Sequence, residues 1–252
     1  MFSCEPFSSA PPSGGSATVS FPTLPGLAGR WNALNVTTSG GNVTSATDLS
    51  GNGNNLTNTG NVPLASTGYN GHPCFSFLAA NTAALSASGI PMGTGNAGYF
   101  FFVGQMLTGT TSSGGAIVYG ASGQTDFFGT NSDAVFTRNG GANSLDSRGG
   151  VTNPGSLAIS LATNYRVGVN LNQIGDGTSS FYLNNVQSSG PTVVGNWATG
   201  GTIVIGARFS SGSVDTSQSW EGPICEIVVG NAALSSTDIN NLDAYFTAQW
   251  GT

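Results

Sequence analysis

The stretch Ser219 to Gly251, SWEGPICEIVVGNAALSSTDINNLDAYFTAQWG, constrains the fold of this chain more than any other. Ile224 to Val229 is apolar and largely β-branched, with Glu226 its one charge, which predicts a strand buried between two layers. After a Gly-Asn connection the residues spell a helix start. Ser235 is a natural N-cap with Asp238 three residues on, and Leu234 and Ile239 stand where a hydrophobic staple puts them. Ile239, Leu242, Phe246 and Trp250 fall within about 80° at ~100° per residue, and Gly251 ends the run. A helix with so narrow an apolar stripe must lie on a surface, and the surface on offer is a sheet.

The rest of the chain reads as strand and turn. From Gly26 onward turn residues recur about every ten positions, the spacing of an all-β sandwich. Tyr99 to Val103 (YFFFV) is apolar on both faces. Tyr165, Val167, Val169 and Leu171 alternate with Arg166, Gly168 and Asn170, a half-buried strand, and Asp176-Gly177 marks a tight turn after it. Residues 1–25 differ. They hold five prolines among Ser and Gly and show no periodicity, so they read as an extended arm ahead of a single domain over 26–252. Phe2, Phe7 and Phe21 are the apolar anchors by which such an arm would dock on a partner.

Charge excludes several functions. Only 6% of residues are charged, lysine is absent, and the formal net charge is −6, which argues against a nucleic-acid binder. No apolar run reaches the ~18 residues of a membrane-spanning helix. The N-terminus has neither a basic n-region nor an apolar h-region, so folding in a cytoplasm is expected. Cys4, Cys74 and Cys225 lack zinc-ligand spacing and read as buried thiols or one unpaired reactive thiol. The sequons at Asn35, Asn42 and Asn55 read as chance products of an Asn/Thr-rich chain.

The sequence offers little to catalysis. His72 is the single histidine and sits in a Gly-His-Pro turn. Glycoside hydrolysis needs two carboxylates ~5–5.5 Å or ~6.5–9.5 Å apart. The closest acidic spacings, Glu221/Glu226 and Asp238/Asp243, are five residues, an odd number that sends strand side chains to opposite faces. Glu226, on the face of Ile224 and Val228, reads as one half of a structural ion pair with an arginine such as Arg208. The expectation is a chain that is not an enzyme. Asp48-x-Ser50-x-Asn52-Gly53 imitates the opening of a calcium loop, with Thr59 where the closing acid belongs; Asp48, Ser50 and Asn52 are the candidate ligands, against an Asx-stabilised turn. No other cofactor is implied. For sugar binding, which needs aromatic faces beside amides and carboxylates, the candidates are Trp197, Trp220, Tyr69 and Tyr182, with Asn184, Asn185 and Asp215. Trp31 and Trp250 are assigned to the core.

The C-terminal pattern, Trp220-x-Gly222-x-Ile224-x-Glu226-Ile227, then Ala233-Leu234-Ser235 and Ile239, then Leu242-x-x-Tyr245 and Trp250-Gly251, resembles the end of a laminin-G-like domain of the concanavalin A-like lectin/glucanase jelly rolls. Arg30-Trp31, Asp48 to Asn54, Gly71-His72-Pro73, Phe181 to Asn184 and Ile205-Gly206 agree in order, over roughly residues 26–251. Cys225 stands where the family usually has Asp. The resemblance implies a two-sheet antiparallel jelly-roll sandwich with one C-terminal helix. Similar domains recur in bacteriophage virion proteins. The first functional expectation is therefore a virion structural protein, a capsid decoration or fibre protein held in many copies by the capsid or fibre. The alternative is a lectin-like module for host-surface glycans, and a glycan hydrolase or lyase ranks last.

Overall fold

The computed structural model describes residues 19–65, 68–90, 97–107, 114–120, 132–137, 143–149, 155–171, 179–190, 201–210 and 213–252. In chain order the strands are β1 (Leu27–Asn32), β2 (Val36–Ser39), β3 (Asn42–Ala46), β4 (Leu56–Thr59), β5 (Leu64–Ala65), β6 (Cys74–Phe77) and β7 (Ala84–Ile90). They continue with β8 (Gly98–Gln105), β9 (Gly115–Gly120), β10 (Ser132–Thr137), β11 (Ser144–Gly149), β12 (Gly155–Ala158) and β13 (Asn164–Leu171). The last are β14 (Ser180–Leu183), β15 (Val186–Ser189), β16 (Gly201–Ile205), β17 (Arg208–Ser210), β18 (Ser213–Asp215) and β19 (Gly222–Gly230), followed by helix α1 (Ser236–Trp250).

These form two antiparallel sheets packed face to face, an all-β jelly-roll sandwich with one C-terminal helix, as the sequence led us to expect. The first sheet runs β15-β14-β13-β8-β19-β6-β5, the second β12-β11-β10-β9-β16-β7-β4-β3-β2. The first is organised on β19. One edge of β19 pairs along β8; the other is shared, Gly222 to Ile224 with β6 and Glu226 to Gly230 with β1.

Both faces of the first sheet are covered, which explains its unbroken apolar runs. Phe100 and Phe102 of β8 point into the core between the sheets, while Tyr99, Phe101 and Val103 point outward under α1. Ile227 and Val229 of β19 join the inner core, and Val228 joins the outer one. The helix lies there as expected. Ser235 and Asp238 form a reciprocal capping box, and Ile239, Leu242, Phe246 and Trp250 are buried with Leu234. Gly251, at φ 67°, closes the helix in the left-handed conformation that glycine adopts without a Cβ clash.

The second sheet alternates. Leu85, Ala87, Ile203 and Ile205 face the core, and the positions between them face out. One outward row runs in register across five strands: Thr37, Ser45, Thr57, Ser86 and Val204. The β17–β18 hairpin covers part of that face, where Val214 packs on Ala84 and Val204.

Two expectations need correction. The register of β19 against β8 shifts between Ile224 and Glu226, making Cys225 an extra residue in the strand. Counting by twos fails across such a bulge, so Ile224 faces the inner core while Glu226 faces the helix. Cys74 and Cys225 are not buried thiols: they form a disulfide across 151 residues of chain, sealed under the helix. Cys4 lies outside the described residues. Phe21, named above as an anchor of the arm, packs on its own domain. Its ring lies under the Arg30 guanidinium, 3.9 Å from centroid to Cζ, and edge-on to Tyr245 at 5.2 Å. Leu24 is buried beside it and the Tyr99 hydroxyl donates to the Pro25 carbonyl, so residues 21–25 are a strap on their own domain. Phe2 and Phe7 lie outside the described residues.

Candidate functional site

The sugar-site candidates separate once placed. Trp220 is a core residue, 1% exposed, with its ring edge-on to Phe102. The segment ahead of β19 tucks inward, the Trp220 N–H donating to the Gly206 carbonyl, and carries the ring with it. Tyr69 is likewise buried. Asp215 caps a short 3₁₀ turn, accepting from the Ser217 N–H and hydroxyl. Trp197 and the Asp176-Gly177 turn lie outside the described residues.

The Asp48 loop is an Asx-stabilised turn. Asp48 Oδ1 accepts from the N–H groups of Arg30 and Ser50, and Oδ2 from that of Asn54. Asn52 donates to the Leu27 carbonyl and to Ser50, and the Trp31 indole N–H reaches the Asn54 carbonyl. A cation needs oxygens converging on it, whereas here the carboxylate is ringed by N–H donors of the opposite polarity. Asp48, Ser50 and Asn52 clamp the loop to β1.

Tyr182, Asn184 and Asn185 do come together, at a crevice where α1 crosses β13 and β14. Asn184 and Asn185 are the two central residues of the β14–β15 hairpin, at φ 49° and 63°, the left-handed pair such a turn requires and asparagine tolerates. Asn184 Oδ1 accepts from the Arg166 N–H, locking the turn to β13. Asn185 Nδ2 donates to Asn240 Oδ1 of the helix at 3.0 Å. One turn along the helix, Arg166 Nε donates to Asp243 Oδ1 at 2.5 Å, and Arg166 Nη1 donates to the Thr252 carbonyl and hydroxyl oxygens.

The outward residues of β13, expected to be solvated, are thus ties to the helix. Asn170 gives and takes a hydrogen bond with the Leu234 backbone, both 2.9 Å. Gly168 leaves space for the Phe101 ring, which would lie 2.1 Å from a Cβ there. The resulting crevice is a shallow dimple of about 10 Å3, with the buried Phe101, Tyr182 and Phe246 beneath it as an apolar floor. Arg166, Asp243 and Asn185 supply its polar lining. Among the described residues, Arg166 Nη2, Asp243 Oδ2, Asn185 Oδ1 and the Tyr182 hydroxyl have no hydrogen-bond partner, so both donors and acceptors remain available. Sequence reasoning missed Arg166 and Asp243, 77 residues apart, because nothing local announces that they meet.

A second polar cluster under the same helix has no such freedom. Glu226, fully buried, accepts from Arg30 Nε at 2.7 Å, Trp250 Nε1 at 2.7 Å and the Tyr245 hydroxyl at 3.0 Å. Arg30 Nη2 donates in turn to that hydroxyl. The ion pair expected of Glu226 is present with Arg30 of β1, not Arg208, because β1 is the strand beside Glu226. Burial pushes the Glu226 carboxyl above the ordinary range, against the downward pull of Arg30, Trp250 and Tyr245. This cluster rivets helix, strap and sheet together.

No protein-family model and no curated protein sequence matches this chain. Solved structures match its fold. Domain 4 of AbnA, an extracellular GH43 arabinanase of Geobacillus stearothermophilus solved with arabinotriose, aligns with TM-score 0.61 and 15% identity over 86% of this chain and 98% of its own. A Trypanosoma rangeli sialidase solved with sialic acid aligns with TM-score 0.58 and 13% identity, over 86% of this chain but 32% of the sialidase. The binding domain of Paraclostridial Mosquitocidal Protein 1 aligns with TM-score 0.55 and 13% identity, over 88% of this chain and 52% of its own. These likenesses establish the sandwich, and they lend no support to a place on a virus particle. They also overturn the expectation that the chain is not an enzyme: the fold recurs within glycosidase chains, an arabinanase and a sialidase, and the spacing of acids along this sequence is no ground for excluding it from such a chain. What this chain has in common with domains from an arabinanase, a sialidase and a toxin's binding domain is a jelly-roll sandwich.

Proposed function

We propose that this chain is a carbohydrate-binding β-sandwich module. The observation that carries the reading is the alignment with nearly the whole of an arabinanase domain that was solved holding arabinotriose. At the α1/β13–β14 rim, Arg166, Asp243 and Asn185 offer donors and acceptors of the kind sugar hydroxyls use. The Cys74–Cys225 bond supports work in an oxidising setting, such as the outside of a cell or of a particle, where glycans are met. Display in many copies, as on a virion, would make weak single-site binding sufficient.

The test is a glycan array followed by calorimetry on the full chain. Binding to at least one glycan that falls at least tenfold in Asn185→Gly, an exposed turn position, with the melting temperature retained, is the expected result. Absence of binding to every mono-, oligo- and polysaccharide on the array overturns the proposal.

A further inference from the structure

We infer that β15 is an association edge, and that two copies of this chain pair antiparallel along it, joining their first sheets into one. β15 ends the first sheet, with β14 on one side and no strand beyond it among the described residues. Its free groups follow from the register. Leu183 and Val186 close the two-residue hairpin as a hydrogen-bonded pair, and the Gly190 N–H donates to the Ser179 carbonyl, so Val186, Ser188 and Gly190 bond inward. The main-chain N–H and C=O groups of Gln187 and Ser189 therefore point away from the sheet. Both residues are exposed, and those groups have no partner among the described residues. The other edges are protected in the ways that stop such pairing. β5 has two residues, β2 is bulged between Thr37 and Thr38, and the free side of β1 is closed by the Asp48 loop, the Leu49 N–H donating to the Arg30 carbonyl. β12 presents no exposed large apolar side chain. β15 holds a regular register without charge or proline, and it begins with Val186, 70% exposed, the most exposed large apolar side chain among the described residues.

The occupant this edge fits is its own copy. A chain of net charge −6 repels its like, yet Ser180 to Gly190 holds no charged residue, so two identical edges meet without like charges opposed. With a two-fold axis at Ser188, Gln187 of each copy exchanges both main-chain bonds with Ser189 of the other, and every outward group of the edge is satisfied. Ser188 then faces itself in a non-hydrogen-bonded pair, with Cα atoms ~4.5 Å apart. Val186 lies opposite Gly190, which has no side chain to obstruct it. The pairing is isologous and closes at two copies. A four-residue edge buries far less than the ~800 Å2 per partner of a stable complex, so the dimer is weak and builds with concentration. The two-fold runs perpendicular to the joined sheet, so α1 and the Arg166–Asp243 rim of both copies face the same way. Two weak contacts on one side are what a repetitive surface rewards.

The experiment is sedimentation equilibrium on the full chain over a concentration series, with no sugar present, so that its outcome is independent of the carbohydrate-binding reading. A monomer–dimer equilibrium is expected. Val186→Lys, which sets two like charges on the edge, and Gln187→Pro, which removes an outward N–H while leaving the inward bonds to β14, should each weaken it at least tenfold with the melting temperature retained. Val186→Lys alone serves if Gln187→Pro does not fold. On a Cys4→Ser background, Ser188→Cys should give a covalent dimer with oxidised glutathione, reversed by dithiothreitol. A chain that stays monomeric up to about 1 mM would overturn the inference. So would a dimer indifferent to Val186→Lys, which would place the contact on another surface, and so would open-ended polymers in place of a dimer. A dimer that Val186→Lys dissociates but Ser188→Cys does not cross-link would overturn the register.

Discussion

The two outer faces of this sandwich are built from one kind of strand and finished in opposite ways. On the first sheet, Tyr99, Phe101, Val103 and Val228 point outward into an apolar layer closed by α1, and the polar positions Arg30, Arg166, Asn170 and Glu226 are fastened to the helix or its flanks. On the second, the outward row Thr37, Ser45, Thr57, Ser86 carries hydroxyls, and only part of the face is covered by the β17–β18 hairpin. The contrast teaches that the outward positions of a strand encode what will lie on the sheet. Continuous apolar runs call for a second layer, while Ser/Thr alternation calls for water or a ligand.

The comparison predicts that damage under the helix is costly and damage on the hydroxyl face is cheap. The largest effect should come from the disulfide. Replacing Cys74 and Cys225 by Ser frees a loop of 151 residues, and on chain-entropy grounds should cost about 5 kcal/mol, read as a fall in the urea midpoint. Next, Trp250→Ala should cost about 3–5 kcal/mol, because it empties a fully buried site and removes a donor to Glu226. A loss below about 1 kcal/mol would mean the helix is not a structural layer at all.

Arg30→Met should cost about 3 kcal/mol at neutral pH, the low end for stranding a buried charge because Arg30 keeps some contact with water. Its pH signature is more specific. Burial keeps the Glu226 proton on the folded chain to a higher pH than on the unfolded one. Between the ordinary carboxylate value and the raised one, the folded state binds more protons, so this group's contribution to stability falls as pH rises and is flat outside that window. Arg30→Met removes the strongest downward pull and should extend the window to higher pH, while Glu226→Gln should erase it. Denaturation midpoints at a series of pH values would show both. The smallest effect belongs to the other face: Thr57→Ala and Ser86→Ala should each stay within about 0.5 kcal/mol. A penalty above 1 kcal/mol there would show that the hydroxyl row is structural and would dissolve the contrast.

What the sequence determined by itself is what lies within a few residues. The α1 cap at Ser235 and Asp238, its stripe from Ile239 to Trp250, its stop at Gly251 and the doubly buried strand at Tyr99 to Val103 are all legible because helix and strand periods are local. Tyr182, Asn184 and Asn185 could be named as candidates because a two-asparagine turn beside an aromatic is local too. Only the tertiary structure decided which distant groups meet. It paired Cys74 with Cys225, gave Glu226 to Arg30, closed Arg166 on Asp243, sank Trp220 into the core and turned Phe21 back onto its own domain. One extra residue at Cys225 was enough to part Glu226 from the face of Ile224 while leaving it with Val228. Periodicity propagates faithfully only until the first bulge, and sheet order, which sets every long-range neighbour, is chosen by the packing of whole strands and leaves no mark on the short stretches that pair.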